Sequence, residues 1–461
     1  LANEAGDGHL AKAEKRIAKS QKRNRLDFMR VLHLIDAASP QASSTTLAML
    51  TDAQGRLGHV TERVALLGGV QLADKANRAG IIDAMRVGVP MGRAVLGWSA
   101  LRRKLREQNE APFDLMHCWS IGALTLAAMM FRQTPRLLTM TTLPTAQQVR
   151  WLRVLTRDTE PNTTPCAILP ISNTIRRELL SGGIRESAVH VLRPGIDMSR
   201  IISNQRAQLR EQWAIDKQND KKIVAVALLS DPPTAADAVS GMMISRFAME
   251  SLLLEGIDVR LIVHPDQRRR LQAKQLLRDM NGLRMLIDEP RIAEPWSILP
   301  GCDIALTLGT HGPVRVQGLS AIARSSQRPT SADIGHGYLG AGGSAESGGG
   351  GLSLLWAMAS NVPIVGEATY ANCEIVEDRH SALLSKPGQF RSLAHHMRQV
   401  IVDKHQAWQV RDTARHEAYS FFSRTRYCDC IRQVYQQITE GNPIVIPELE
   451  ATGGLKFSGR A

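Results

Sequence analysis

Four consecutive glycines lead into an apolar segment in the last third of this chain, and that arrangement suits an anion. Gly348, Gly349, Gly350 and Gly351 run directly into Leu352-Ser353-Leu354-Leu355-Trp356-Ala357-Met358-Ala359. A helix entered through glycines offers unpaired N–H groups and the positive end of its dipole, and the missing side chains let a phosphate come close. Gly349, Gly350, Gly351, Leu352 and Ser353 are therefore candidate ligand contacts. The same residues also fit a glycine linker ahead of a core helix, so the neighbouring elements must decide.

Other side chains of the right chemistry lie apart in sequence. His117 ends the short apolar run Leu115-Met116-His117 and suits the orientation of a hydroxyl or phosphate, or a structural place half inside the sheet. Glu374 follows Cys373 at the start of a turn, where a carboxylate is favourable beside a helix N-terminus. Arg193 stands two residues before Gly195, and Arg315, Arg324 and Arg328 lie in a loop rich in Gly and Ser. Guanidinium forks match phosphate oxygens, although a solvated loop needs no ligand to explain its arginines.

The elements that must position these residues alternate. Apolar runs at 29–35 (MRVLHLI), 60–66, 114–118, 136–140, 166–169 and 188–192 predict strands, with helices between them. After the polar stretch 198–222 a second series opens, with strands at 223–229, 259–263, 283–287, 304–308, 362–365 and 382–384. Three helices are predicted at 390–402, 405–421 and 424–438. Strands alternating with helices imply doubly wound parallel sheets, and two such halves place a ligand cleft between them. The predicted organisation is a basic tail at 1–27, a first Rossmann-like domain at 28–197, a linker at 198–222 and a second Rossmann-like domain at 223–403. The second domain carries an insertion at 309–348, closing helices follow at 404–440, and 441–461 is a tail.

Composition bounds the function classes. The 461 residues exceed one ordinary core, and 43% hydrophobic content is that of a globular protein. No apolar run is long enough for a membrane-spanning helix, and the start of the chain has no apolar signal core. The six cysteines show no metal-ligand spacing, so reduced thiols in a cytoplasm are the expectation. A net charge of +13 fits phosphorylated ligands or an anionic membrane face, while 4% aromatic residues argue against base-stacking nucleic-acid platforms. The basic run between Lys12 and Arg30 reads either as a solvated tail or as a peripheral contact with the inner face of an anionic membrane.

Three segments carry a family resemblance. They are Leu169-Pro170-Ile171-Ser172-Asn173-Thr174-Ile175, then His190-Val191-Leu192-Arg193-Pro194-Gly195-Ile196-Asp197, and the stretch from Gly351 through Asn361-Val362-Pro363-Ile364-Val365 to Glu374-Ile375-Val376. In this order they resemble the retaining glycosyltransferases of the GT-B fold, in particular family 4, over roughly residues 29–438. The resemblance implies a last helix crossing back onto the first domain. It also implies a nucleotide-sugar donor, a glycan or lipid-linked acceptor, retention at the transferred sugar, and no metal or cofactor. Glu374 and the glycine-led helix would then bind the donor, and His117 takes the place of a family histidine.

Some family positions hold other residues here. Gly348 and Trp356 occupy the places of two glutamates, which leaves Glu346 as the nearest carboxylate for catalysis and lets the Trp356 indole stack on a base or sugar face. The basic pair expected after the first strand of the second domain is absent from Leu229-Ser230-Asp231-Pro232-Pro233, so Arg193, Arg315, Arg324 and Arg328 are the phosphate candidates. Three functions fit: an active transferase with a rearranged site, a catalytically silent GT-B scaffold that binds a nucleotide, glycan or protein, or a nucleotide-sugar epimerase.

Overall fold

The computed structural model describes residues 29–36, 46–52, 60–67, 84–87, 100–105, 112–156, 165–201, 205–215, 223–229, 235–263, 286–288, 295–308 and 352–446. The first sheet contains β1 (Met29–Asp36), β2 (Val60–Leu67), β3 (Ala84–Val87), β4 (Leu115–Cys118), β5 (Arg136–Met140) and β6 (Cys166–Pro170), in the order β3-β2-β1-β4-β5-β6. All of its pairings are parallel. The second holds β7 (Val224–Leu228), β8 (Val259–Val263), β9 (Leu286–Asp288), β10 (Ile304–Thr307), β11 (Ile364–Glu367) and β12 (Leu383–Ser385). Its order is β12-β11-β10-β7-β8-β9, again wholly parallel. The predicted pair of doubly wound parallel sheets is the observed architecture.

Period-two side chains place an apolar core on both faces of each sheet. In β1, Val31 and Ile35 join one core while Leu32 and Leu34 join the other. In β7, Val224, Val226 and Leu228 face one layer, and the smaller Ala225 and Ala227 face the layer containing Trp356.

Helices start where side chains cap them. Ser120 accepts from Ala123 N at the start of α1 (Ile121–Met130) and donates to Asp36 Oδ2 at 2.7 Å, joining this helix to the end of β1. A Cβ at Gly122 would lie 2.7 Å from Asp36 Oδ2, so a larger residue there would displace this carboxylate. Thr145 and Gln148 form a reciprocal capping box at α2 (Ala146–Leu155). Ser172 caps α3 (Asn173–Ser181) by accepting from Ile175 N.

Several elements differ from the sequence expectation. The strand β3 was not predicted, because Ala84-Met85-Arg86-Val87 is too short and mixed to show a period. The expected strand at 188–192 is a 3₁₀ turn, Glu186–Ala188, followed by one bridge between Val189 and Ile168. The stretch read as a linker contains α4 (Arg206–Gln212), and Leu209, Trp213 and Ile215 belong to the core of the second domain. Its polar residues have a purpose: Asp303 accepts from Arg206 at 2.6 Å and Arg210 at 2.9 Å, while Arg210 also reaches Ile223 O. Further helices are α5 (Ala235–Leu254), α6 (Leu352–Ala359), α7 (Tyr370–Cys373), α8 (Phe390–Val402), α9 (Lys404–Phe421) and α10 (Arg424–Glu440). Of the closing helices at 404–440, which the sequence reading takes to cross back together, α9 instead stays with the second sheet, burying Ala407, Val410, Ala414 and Ala418 in its cores.

The chain crosses between domains twice, and the crossings are bonded together. Ile196 N donates to Phe422 O at 2.8 Å, and Arg424 N donates to Ile196 O at 3.0 Å. Gly195 permits this approach, because a Cβ there would meet Tyr427 Cβ at 2.6 Å and Ser423 O at 3.0 Å. From this point α10 lays Tyr427, Ile431, Val434, Tyr435 and Ile438 against Val31, Ile35, Leu115 and Leu137 of the first domain. Asp197 secures the crossing with Arg424, whose guanidinium also reaches Asp52. Burial pushes the Asp197 carboxyl up, but the Ser199 hydroxyl and Arg424 outweigh it and hold it below the usual carboxylate range.

Candidate functional site

In open parallel sheets ligands bind beyond the carboxyl ends of the strands. That edge of the second sheet carries a buried polar group of residues. Glu367 ends β11 with no exposed surface and accepts from Gly388 N at 2.7 Å. Asn372 donates to Glu367 O at 2.8 Å, and Ser385 donates to Gly366 O at 3.2 Å. Gly366 lets β10 lie close, since a Cβ would come 2.6 Å from Thr307 O. Sequence reading missed Glu367. An acid as the last letter of the buried run Val362-Pro363-Ile364-Val365-Gly366-Glu367 was the available signal.

The turn beyond this edge reaches the other domain. Glu374 accepts from Asn173 N at 2.6 Å, Thr174 N at 2.8 Å and Thr174 Oγ1 at 2.6 Å. A carboxylate from one domain thereby fills the positive N-terminus of α3 in the other. Arg193 donates to the backbone oxygen of the same Glu374. Burial lowers the Arg193 pKa, the Glu374 charge opposes that shift and Arg426 adds to it. Since α3 follows β6 and Glu374 follows β11, the carboxyl edges of the two sheets face each other here. The structure brings Arg193 and Glu374 together, as neither residue's sequence context required.

His117 lies elsewhere. It is fully buried, stacked on Trp119 with ring centroids 4.5 Å apart, and covered by Tyr435 of α10. Its Nδ1 lies 2.6 Å from the Tyr435 hydroxyl and its Nε2 lies 2.8 Å from Thr139 Oγ1, so both ring nitrogens are occupied within the protein. Burial, followed by the neighbouring His33, keeps its pKa well below the ordinary value. Beside it, Trp119 Nε1 donates to His33 Nδ1 at 3.2 Å, and His33 Nε2 lies 3.0 Å from Glu62 Oε1. This corrects the expectation of a half-buried histidine at an open strand edge. The physical reason is α10, whose return seals that edge.

The rest of the sequence-named set divides in two. Glu346, Gly349, Gly350, Gly351, Arg315, Arg324 and Arg328 lie outside the described residues. Leu352 opens α6, Ser353 is half-buried in its first turn, and Trp356 is 2% exposed among Leu354, Leu355, Met358 and the alanines of β7. The indole is therefore part of the core of the second domain. Among the described residues no group of three or more His, Cys, Asp or Glu side chains could hold a metal ion.

Solved structures with this arrangement exist. HepE (Alr3699) of Anabaena, in complex with UDP and glucose, superposes with a TM-score of 0.64 at 14% identity, covering 88% of this chain and 99% of that one. The chain has the GT-B fold. A glycosyltransferase from Rickettsia africae matches with a TM-score of 0.63 at 12% identity, covering 90% of this chain and all of the other, 100%. The lipopolysaccharide outer core galactosyltransferase WaaB in its apo form matches at 0.54 and 11% identity, over 90% of this chain and 99% of that one. No protein-family model and no curated protein sequence matches the chain.

Proposed function

We propose that this GT-B protein is a glycosyltransferase that takes a sugar from a nucleotide-sugar donor and passes it, with retention, to a glycan or lipid-linked acceptor. The observation that carries the reading is the start of α6 at Leu352, after four glycines in the sequence and beside the buried polar edge of β10 and β11, in a fold whose solved neighbour HepE holds UDP-glucose. Transfer separates a nucleoside diphosphate from the sugar, so negative charge builds on the leaving phosphate. The N–H groups that open α6 meet that charge, and Arg193 lies at the same interdomain face to add to it. Closure of the two domains brings donor and acceptor together and excludes water. The reading needs no metal or cofactor, and Arg315, Arg324 and Arg328 remain the other phosphate candidates. Without the family's ribose-holding glutamate at position 356, a ribonucleotide gains less than tenfold over its deoxy counterpart.

The placement of Trp356 and Glu374 favours a second reading, a scaffold that binds nucleotide without turnover. One side chain is buried in the core and the other is held by α3. Incubation of the purified chain with a panel of nucleotide sugars separates the two. Donor hydrolysis or transfer supports the transferase, and thermal stabilisation by nucleoside diphosphates without turnover supports the scaffold. At a hundredfold excess of ligand over Kd, linkage supplies about 2.7 kcal/mol, which a melting curve resolves. A panel with neither effect overturns both.

A further inference from the structure

A cavity lies on the side of the second domain away from the interdomain edge. It occupies ≈ 660 Å³ at the amino ends of β10 and β11, bordered by Cys302 and Asp303 before one strand and Val362 and Pro363 before the other. The interdomain edge is at the opposite ends of the same strands. Its size is that of a small-molecule site.

One face of α9 supplies the wall. Lys404, Trp408, Arg411, Arg415 and Tyr419 follow at helical spacings of three and four and all line the cavity. Three cations and two aromatic rings thus share this face. Trp408 is 51% exposed and Tyr419 46%, and Arg415 lies over the Tyr419 ring at 5.5 Å. Among the described residues the lining has one carboxylate, Asp303, which is already held by Arg206 and Arg210. Lys404, Arg411 and Arg415 all bring positive charge to this wall.

Two buried polar atoms complete the site. Arg411 Nε and Asn361 Oδ1 are shut away from solvent with no hydrogen-bond partner among the described residues. The first can only donate and the second can only accept. Leaving such atoms unmet costs stability, and both residues line the cavity, so a turn of either side chain toward a ligand calls for an acceptor at Arg411 and a hydroxyl at Asn361.

We infer that this cavity binds a sugar phosphate at a site separate from the interdomain cleft. The phosphate oxygens meet Arg411, Arg415 and Lys404, a sugar hydroxyl donates to Asn361, and the apolar face of the ring lies on Trp408. Its dependence on the cleft is nil as a binding event, so it stands whether or not the protein transfers sugars.

Titration calorimetry on the full chain tests it with glucose 6-phosphate, glucose and inorganic phosphate as probes. The expected result is saturable binding of glucose 6-phosphate, at least tenfold weaker binding of phosphate, and no measurable heat with glucose. Arg415→Gln and Trp408→Ala change exposed residues and are expected to keep the wild-type melting temperature and its shift with UDP, while weakening glucose 6-phosphate tenfold or more. Arg411→Met is expected to abolish the binding. Absence of glucose 6-phosphate binding to the wild type, unchanged affinity in the variants, or competition between UDP and glucose 6-phosphate would each overturn the inference. Binding to phosphatidylglycerol vesicles with no response to glucose 6-phosphate would overturn it as well.

Discussion

Two surfaces join the halves of this chain. The contact of α10 with the first sheet is apolar and closed, with Tyr427, Ile431, Val434 and Tyr435 all buried against β1, β4 and β5. The contact of Glu374 with α3 is polar and only partly buried, made by hydrogen bonds to Asn173 and Thr174. Apolar burial holds at all times, while a charge-assisted contact beside water exchanges for hydration at little cost. The first surface thus anchors the two domains, and the second is the one able to open for a ligand.

The anchor is expected to show the largest response to mutation. Tyr435→Ala removes a buried ring and leaves His117 Nδ1 without its hydroxyl, for a loss of about 3–5 kcal/mol in urea unfolding. Tyr435→Phe keeps the ring and costs about 1–3 kcal/mol, the share of the lost hydrogen bond. Equal losses in both variants would show that packing around the ring contributes nothing. Gly195→Val comes next, because its side chain must enter the space of Tyr427 Cβ and Ser423 O. About 1–3 kcal/mol is expected, read as a lower melting temperature, and an unchanged one would contradict the tight crossing.

Acid separates the same two surfaces. The folded protein holds the His117 pKa below its ordinary 6.5, so the unfolded chain takes up a proton first as pH falls. Stability from this group is full above 6.5 and is lost below it, with a slope of about 1.4 kcal/mol per pH unit. The groups facing it are His33 and Tyr435, with Glu62 beyond His33. His117→Phe is expected to flatten that part of the stability curve. A slope that persists there assigns the proton to another group. The smallest effect belongs to Glu374→Gln, which keeps an acceptor for α3 but loses the charge: less than about 1.5 kcal/mol of stability. Faster amide exchange at Asn173 and Thr174 is its expected signature, and unaltered exchange would show that Glu374 is not what closes this face.

The scaffold was legible because buried parallel strands are short apolar runs between turn residues, as in 29–35 and 304–308. Those signals fail where a strand is brief and mixed, as in β3, or where burial follows from tertiary return. His117 illustrates the second case: nothing in Leu115-Met116-His117-Cys118 tells that Tyr435, 318 residues later, will cover it. Glu374 was legible as a helix-end carboxylate, but not the helix it serves, which lies in the other domain. The α9 stripe was legible only as a helix, since its cations gain a common meaning when β10 and β11 bring Asp303 and Asn361 beside them. The glycine run leading into α6 was the plainest chemical signal, and it lies outside the described residues.

The account rests on a nucleotide-sugar entering at the start of α6 between the two domains. Hydrogen exchange of the wild-type chain, followed by mass spectrometry with and without UDP-glucose, tests this directly. Slower exchange is predicted in peptides covering Leu352–Ala359 and in those covering Asn173 and Thr174, with no change along α10. Exchange that is unaltered at α6 under saturating UDP-glucose, or protection confined to the cavity beside α9, would contradict it.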